Sequence, residues 1–600
     1  MPPLRIQAFG GMTPAVDDRL LRDNAAAWSE NTWLYSGRLC GIPQKTLVKA
    51  LTANTAKVFR IPNGITDADH IDDSIWLEFE NPDTDVVRAL VIDDSFDRYY
   101  WVSSSGAAMY NTRARIAAGS DPWILGIPQA DIDSVVPSGG VGAAASRAYI
   151  TTWVSAYGEE GPASDPVLAT GKVDDTWALT LTAASNDDLG GTGDDRYLTH
   201  TRIYRTVTSG SGATTYFLVA QIDIATLTYD DTATDATISA NSQLESTNWT
   251  APPSDLQGFA AMPNGILAGF RGNEIWFSEP YRPHAWPAAY VLTVDFPIVG
   301  LGVLGQTLVV CTQGFPFGIT GIHPSSMAVS KTSSLEPCLS RGGILSATEG
   351  VYYPSPNGLV RIGNDGSVVV VTKNLITKDK WKEIVSISTL RAARLGSGYF
   401  AFGSAQSGVF DGNTFDEDSF AQENFTGSYQ GVLIDTEDER VAFNLLSDPI
   451  PTRAVQNDVW SGEMFLIQDD NLYRLDIAET NPVRRNYIWR SKIFQVGKAN
   501  NFGAMKVYWR APAPAPDVED DPPATEQAVE FPSLPDGTDY GVVRVYADGE
   551  LRLTRELLTS GELIRMPSGF KADYWQLEFE TFVDILSVQV AGSAKELALA

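Results

Sequence analysis

Glu274 and Glu279 flank the tryptophan of "GNEIWFSEP", and Glu349 and Asp365 lie beside other glycine-marked turns. Carboxylates at loop tips are what a glycosidase uses: two groups roughly 5 to 9.5 Å apart across a sugar, one protonating the leaving oxygen. Position along the chain brings no two of these four face to face, and 74 acidic residues supply many chance pairs. Oxygen ligands also concentrate at 230–235 (DDTATD) and 411–418 (DGNTFDED), but neither keeps the D-x-[DN]-x-[DN]-G order of a calcium loop. The four histidines, His70, His200, His284 and His323, lack HExxH or H-x-E spacing, and Cys40, Cys311 and Cys338 form no CxxC pair. Each histidine reads as a surface or packing residue. The glycine-rich stretches lack the GxxxxGK[ST] order of a phosphate loop, and there is no GxSxG elbow. No enzyme, metal site or cofactor is expected.

The formal net charge is −30, with 44 basic residues against 74 acidic and no basic block. Tight binding to a phosphate backbone needs clustered Lys and Arg that release counterions. Stable nucleic-acid binding is therefore disfavoured, whereas a surface past which DNA slides without sticking is compatible with this balance. Solubility alone also accounts for it. No run of about 18 apolar residues exists to span a membrane as a helix. The opening "MPPLRIQAFGG" has no basic segment followed by an apolar one, so synthesis in a cytoplasm is expected.

Strand signals position whatever chemistry there is. Runs of Val, Ile, Thr, Tyr, Phe and Trp are split by Gly, Pro, Asn and Asp, and Asn264-Gly265, Asn357-Gly358, Asp365-Gly366 and Asp548-Gly549 supply positive-φ turn positions. The best helical candidate, 17–31 (DDRLLRDNAAAWSEN), has ambiguous apolar spacing. A mainly-β chain is expected, in four regions. Residues 1–140 hold an arm and first strands, closed by a glycine- and alanine-rich joint at 137–147. Residues 141–250 hold a unit opening on "YITTWVSAYGEEGPASDPV" and closing on "LTYDD", which resembles a fibronectin type III sandwich. Residues 251–485 repeat strand-turn-strand units at the spacing of propeller blades. Residues 486–600 form a β domain interrupted by a proline-rich acidic loop, which cannot join a ladder because proline lacks the N–H.

Three stretches, in order, carry a resemblance. The arm "IQAFGGMTPAVDDRLLRDNAAAWSENTWLYSGRL", the hairpin and loop "GNEIWFSEPYRPHAWP" and the late strands "YIWRSKIFQVGKANNFGAMKVYW" are similar to segments of the tail nozzle proteins of short-tailed bacteriophages, also called tail tubular protein B. The fibronectin-like insert departs from that pattern. The resemblance implies a structural virion protein: a homohexameric tail tube below a ring-shaped tail adaptor, with tail fibres as further partners, through which double-stranded DNA passes without tight binding. It makes Trp276, Phe277, Glu279, Tyr281 and Trp286 candidates for an intersubunit interface, since rigid aromatics and prolines give apolar area at small entropic cost. It makes Asp517, Glu519, Asp520 and Asp521 of the acidic loop candidates for channel contact. The rival expectations are a propeller that binds or cleaves a glycan, and a secreted adhesin.

Overall fold

The computed structural model describes residues 4–599 except 35–36, 63–73, 92, 105, 186–196, 209–213, 385, 404–430, 437–441, 476–483 and 511–539. The protein is mainly β, built largely of four-stranded antiparallel sheets. The acidic-loop residues Asp517, Glu519, Asp520 and Asp521, and the 411–418 segment, lie outside the described residues.

Among the described residues, seven sheets form a propeller-like ring, because each shares a buried apolar layer with the next. Five are meanders of four consecutive strands: Asp85–Arg88 to Trp123–Ile124, Gln257–Met262 to Leu292–Thr293, Ile298–Leu304 to Ala328–Lys331, Leu345–Ala347 to Val368–Val370, and Arg391–Leu395 to Ala442–Leu446. A sixth is made of Ala454–Asn457, Met464–Gln468 and Asn471–Leu475, completed by Lys45–Ala50 from near the other end of the chain. The seventh is the pair Lys57–Ile61 and Ile75–Phe79. Tyr100 packs with Phe259 and Trp286, Phe270 with Val310, and Val309 with Tyr353, linking successive sheets. Leu359 with Tyr399, and Phe400 with Leu466, continue the circuit. Val58 with Ile467, and Phe59 with Tyr99, close it. The ring therefore draws in more chain than 251–485. Residues 45–124 supply two of its sheets and the strand that closes a third.

That closing strand is anchored by charge. Lys45 Nζ lies 3.1 Å from Asp448 Oδ1, and Arg485 Nη1 lies 2.7 Å from Asp448 Oδ2, all three side chains being nearly buried. Burial alone would push the Asp448 carboxyl up, but Arg485 and Lys45, with hydrogen bonds from the Ile450 N–H and Gln468, together hold it below the ordinary value.

The sandwich is inserted between two ring sheets. Ile132–Ser138, Thr176–Leu181 and Thr228–Asp231 face Val167–Lys172, Ala144–Ser155, Leu198–Thr208 and Thr214–Asp223 over Tyr149, Trp177, Leu179 and Ile203. Its closing "TYDD" is structural. The Asp231 carboxylate accepts from Tyr149 at 2.7 Å and pairs with Arg205 at 2.8 Å, while Asp235 takes Arg205 at 2.6 Å. The cation held by the 230–235 segment is thus a guanidinium. The stretch 137–147 is part of this domain rather than a free joint: the Gly140, Val141 and Gly142 N–H groups donate to Asp175 and Asp174.

The arm binds the ring to the C-terminal domain. Residues 17–31 form no helix. Ala26–Glu30 is a strand, pairing antiparallel with Tyr487–Ser491 and touching the ring through the parallel partners Glu30 and Leu445. Ahead of it, a Cβ on Gly11 would stand 2.9 Å from both the Phe443 nitrogen and the Ala442 Cβ, so the close approach of the arm to the ring needs glycine there. Leu4–Ile6 then joins Asp584–Ala591 in one sheet of the C-terminal sandwich, against a second containing Ala572–Thr581 and Gly541–Ala547. One continuous core holds Trp28, Tyr399, Trp489, Val545, Phe579 and Ile585.

Candidate functional site at the sandwich and ring junction

The hairpin "GNEIWFSEP" is the turn between Ile266–Arg271 and Glu274–Phe277, and most of its aromatic surface faces inward. Phe277 and Trp286 are fully buried, Trp286 stacking on Phe259 at 6.1 Å and donating its indole N–H to the Pro283 carbonyl at 2.7 Å. Trp276 is half-buried and donates to Glu274 at 3.1 Å. Glu279 accepts from the Tyr290 hydroxyl at 2.8 Å. Only Tyr281 of the five candidates is openly exposed, at 54%. Its φ is +60°, and its ring lies over Gly265, where a Cβ would come within 2.3 Å of it. As for the other carboxylates, Glu349 takes the Thr348 and Tyr352 hydroxyls and Asp365 holds the Ser367 N–H within a turn. Glu349 also pairs with Arg394 of the next sheet at 3.5 Å, so each carboxylate is taken up by its own neighbours.

What the hairpin's loop does build is one wall of a cavity of about 390 Å³ where the sandwich meets the ring. Tyr281, Arg282, Pro283 and His284 form that wall, with Arg98 of the neighbouring sheet and Trp249. The sandwich contributes Tyr157 to Glu160, Arg202 and Tyr204, and the segment behind it Ser242, Gln243 and Glu245. Aromatic contacts fix this junction: Tyr157 packs edge-on against Phe96 at 4.7 Å and also meets Trp123 at 5.6 Å and Tyr110 at 6.2 Å, and Tyr197 stacks on Trp123 at 5.8 Å. Burial pushes the Tyr157 hydroxyl up to about 12.

The charges that line the cavity are matched three to three. Arg98 meets Glu159 at 2.5 Å and, behind the wall, Asp94 at 2.9 Å, Arg202 meets Glu160 at 2.7 Å and Arg282 meets Glu245 at 2.9 Å. Glu160 also accepts from Thr152 and Tyr204. Arg282 lies 4.5 Å over the Trp249 ring, a cation–π contact that leaves its charge oriented. His284 stands apart. It is 7% exposed, edge-on to Trp249 at 5.8 Å, and neither ring nitrogen makes a hydrogen bond among the described residues. Its Nδ1 is 3.7 Å from Glu159, beyond hydrogen-bond reach, and the Glu160 backbone lies near without normal geometry. Burial lowers its proton affinity despite Glu159, so the ring is held neutral: one N–H donor, one acceptor. Sequence reading treated His284 as a packing residue. Its proximity to Glu159 depends on a contact between two domains that no local pattern encodes.

No protein-family model and no curated protein matches the chain. Among solved structures, the Myceliophteria thermophila Cps50 (Swd1) β-propeller domain is 11% identical, with 57% of this chain and 85% of that one covered and a TM-score of 0.23. The N-terminal domain of Nup159 is 10% identical over 45% and 85%, with a TM-score of 0.20. BBS1N in its complex with ARL6DN is 7% identical over 51% and 89%, with a TM-score of 0.23. These are distant similarities, and the ring stands on its own sheets and shared cores.

Proposed function

We propose that this chain is a structural subunit of a virion tail: a nozzle protein of a short-tailed bacteriophage. It assembles as a homohexameric tube beneath a tail adaptor ring and passes double-stranded DNA without holding it. One observation carries the reading. Two of the stretches on which the resemblance rests are adjacent strands, Ala26–Glu30 lying against Tyr487–Ser491 with Ser29 opposite Trp489. Their joint presence in the sequence has a shared structural cause, as a common fold would require and chance similarity would not.

The acidic balance supports the same role. Six copies multiply a charge of −30, and a wall of like charge gives DNA no counterion gain on contact. The propeller-like ring and C-terminal sandwich share one core through the arm, which suits a load-bearing part better than a hinged one. The test is negative-stain imaging of the purified chain at rising concentration, alone and mixed with the adaptor ring encoded by the same genome. Sixfold rings with an open centre are expected. A chain that stays monomeric alone and also fails to dock on the adaptor would overturn the proposal.

A further inference from the structure

We infer that the junction cavity between the sandwich and the ring binds a neutral polyhydroxylated ligand of monosaccharide size. This inference does not rest on the tail reading.

Three features select the ligand class. The volume, about 390 Å³, lies at the lower end of small-molecule sites, which run from roughly 300 to 1,000 Å³. The three guanidinium groups are matched by the three carboxylates, so an entering anion meets Glu159, Glu160 and Glu245, and an entering cation meets Arg98, Arg202 and Arg282. A ligand without net charge avoids both penalties. Its polar atoms must nevertheless donate as well as accept, because a neutral imidazole offers one of each. Hydroxyl groups do this, and a ring of them presents several at once.

His284 supplies the demand for such a ligand. Buried polar groups in folded proteins are nearly always hydrogen-bonded, and among the described residues this one makes no hydrogen bond of normal geometry while lining a cavity. A sugar hydroxyl accepting from one nitrogen, or donating to the other, would satisfy it. Tyr281, openly exposed, supplies aromatic surface for the C–H face of a pyranose, and Ser242 and Gln243 line the cavity with further polar groups.

The test is titration of the full chain with the methyl glycosides of glucose, galactose, mannose and N-acetylglucosamine, followed by tryptophan fluorescence and ligand-observed NMR. Inorganic phosphate and magnesium serve as charged comparisons. Saturable binding of at least one glycoside is expected. His284→Phe, which keeps an aromatic ring beside Trp249, should weaken that binding at least about tenfold, the equivalent of one lost hydrogen bond of ordinary strength. Gln243→Ala, changed on an exposed side chain, gives a second reading should the histidine variant fail to fold. Saturable binding of phosphate in place of any glycoside overturns the inference, as does the absence of binding by every probe. Glycoside binding that survives both variants unchanged places the sugar elsewhere and overturns it too.

Discussion

The indole N–H of Trp489 donates to the Gly10 carbonyl across 3.1 Å, joining residues 479 positions apart. The same indole packs edge-on against Phe9 at 5.1 Å and tilted against Phe579 at 6.2 Å. One side chain therefore fastens the arm to the C-terminal domain. Trp489→Phe should keep most of the packing and lose the donor, costing about 1 kcal/mol. Trp489→Ala should cost about 3–5 kcal/mol through the cavity it leaves. Urea unfolding, with limited proteolysis following release of the arm, separates the two. Equal losses from both variants would mean that packing contributes little.

Closure of the ring depends on Asp448. Asp448→Ala would leave Lys45 and Arg485 nearly buried without their shared partner, a change worth about 3–5 kcal/mol when a buried pair is broken. Because the folded carboxyl sits below its unfolded value, its contribution is present above about pH 4 and lost as pH falls through the folded value. Hydrogen exchange in Lys45–Ala50 should therefore accelerate on acidification before exchange in the C-terminal sandwich does. Simultaneous acceleration in both would show that the strand is not the weak point.

Asp18 carries the opposite sign. Burial, with Asp17 adding repulsion, raises its carboxyl to about 6, while Lys380 and Arg490 only partly offset this. The folded state then holds a proton that the unfolded state has released, between about pH 4 and pH 6. Stability falls as pH rises through that window, by up to about 3 kcal/mol. Asp18→Asn should flatten that part of the curve and stabilise the protein at neutral pH. A melting profile over this range that is identical in wild type and variant would remove Asp18 as the cause.

Local chemistry was the legible part of this fold. Asn264 and Gly265 take φ of +65° and +68°, and Asp548 and Gly549 take +50° and +79°, as the dipeptides imply for tight turns. Long-range pairing was not legible. Residues 26–30 read as the end of an ambiguous helix and form a strand, because their partner lies near residue 490 and tertiary pairing outweighs weak local preference. The glycines at 140 and 142 read as a joint because the clamp on them, Asp174 and Asp175, comes from another turn. The cavity was hidden for the same reason. Its walls come from residues near 98, 158, 203, 243 and 283, which no spacing rule connects.

The hairpin loop offers a last discriminating test, because its aromatics do two different things. Trp286 is core, so Trp286→Ala should cost about 3–5 kcal/mol and lower the yield of folded protein whatever the protein assembles into. Tyr281 is exposed and held at positive φ, a backbone state that asparagine tolerates, so Tyr281→Asn should leave the melting temperature nearly unchanged. If the loop touches a neighbouring subunit, an exposed aromatic anchor is where binding energy concentrates, and its loss should weaken ring assembly by about tenfold or more in concentration. Thermal melts and sedimentation velocity across a concentration series measure the two properties on the same samples. Unchanged assembly in Tyr281→Asn would move the interface away from this loop and leave Tyr281 solely to the cavity it lines.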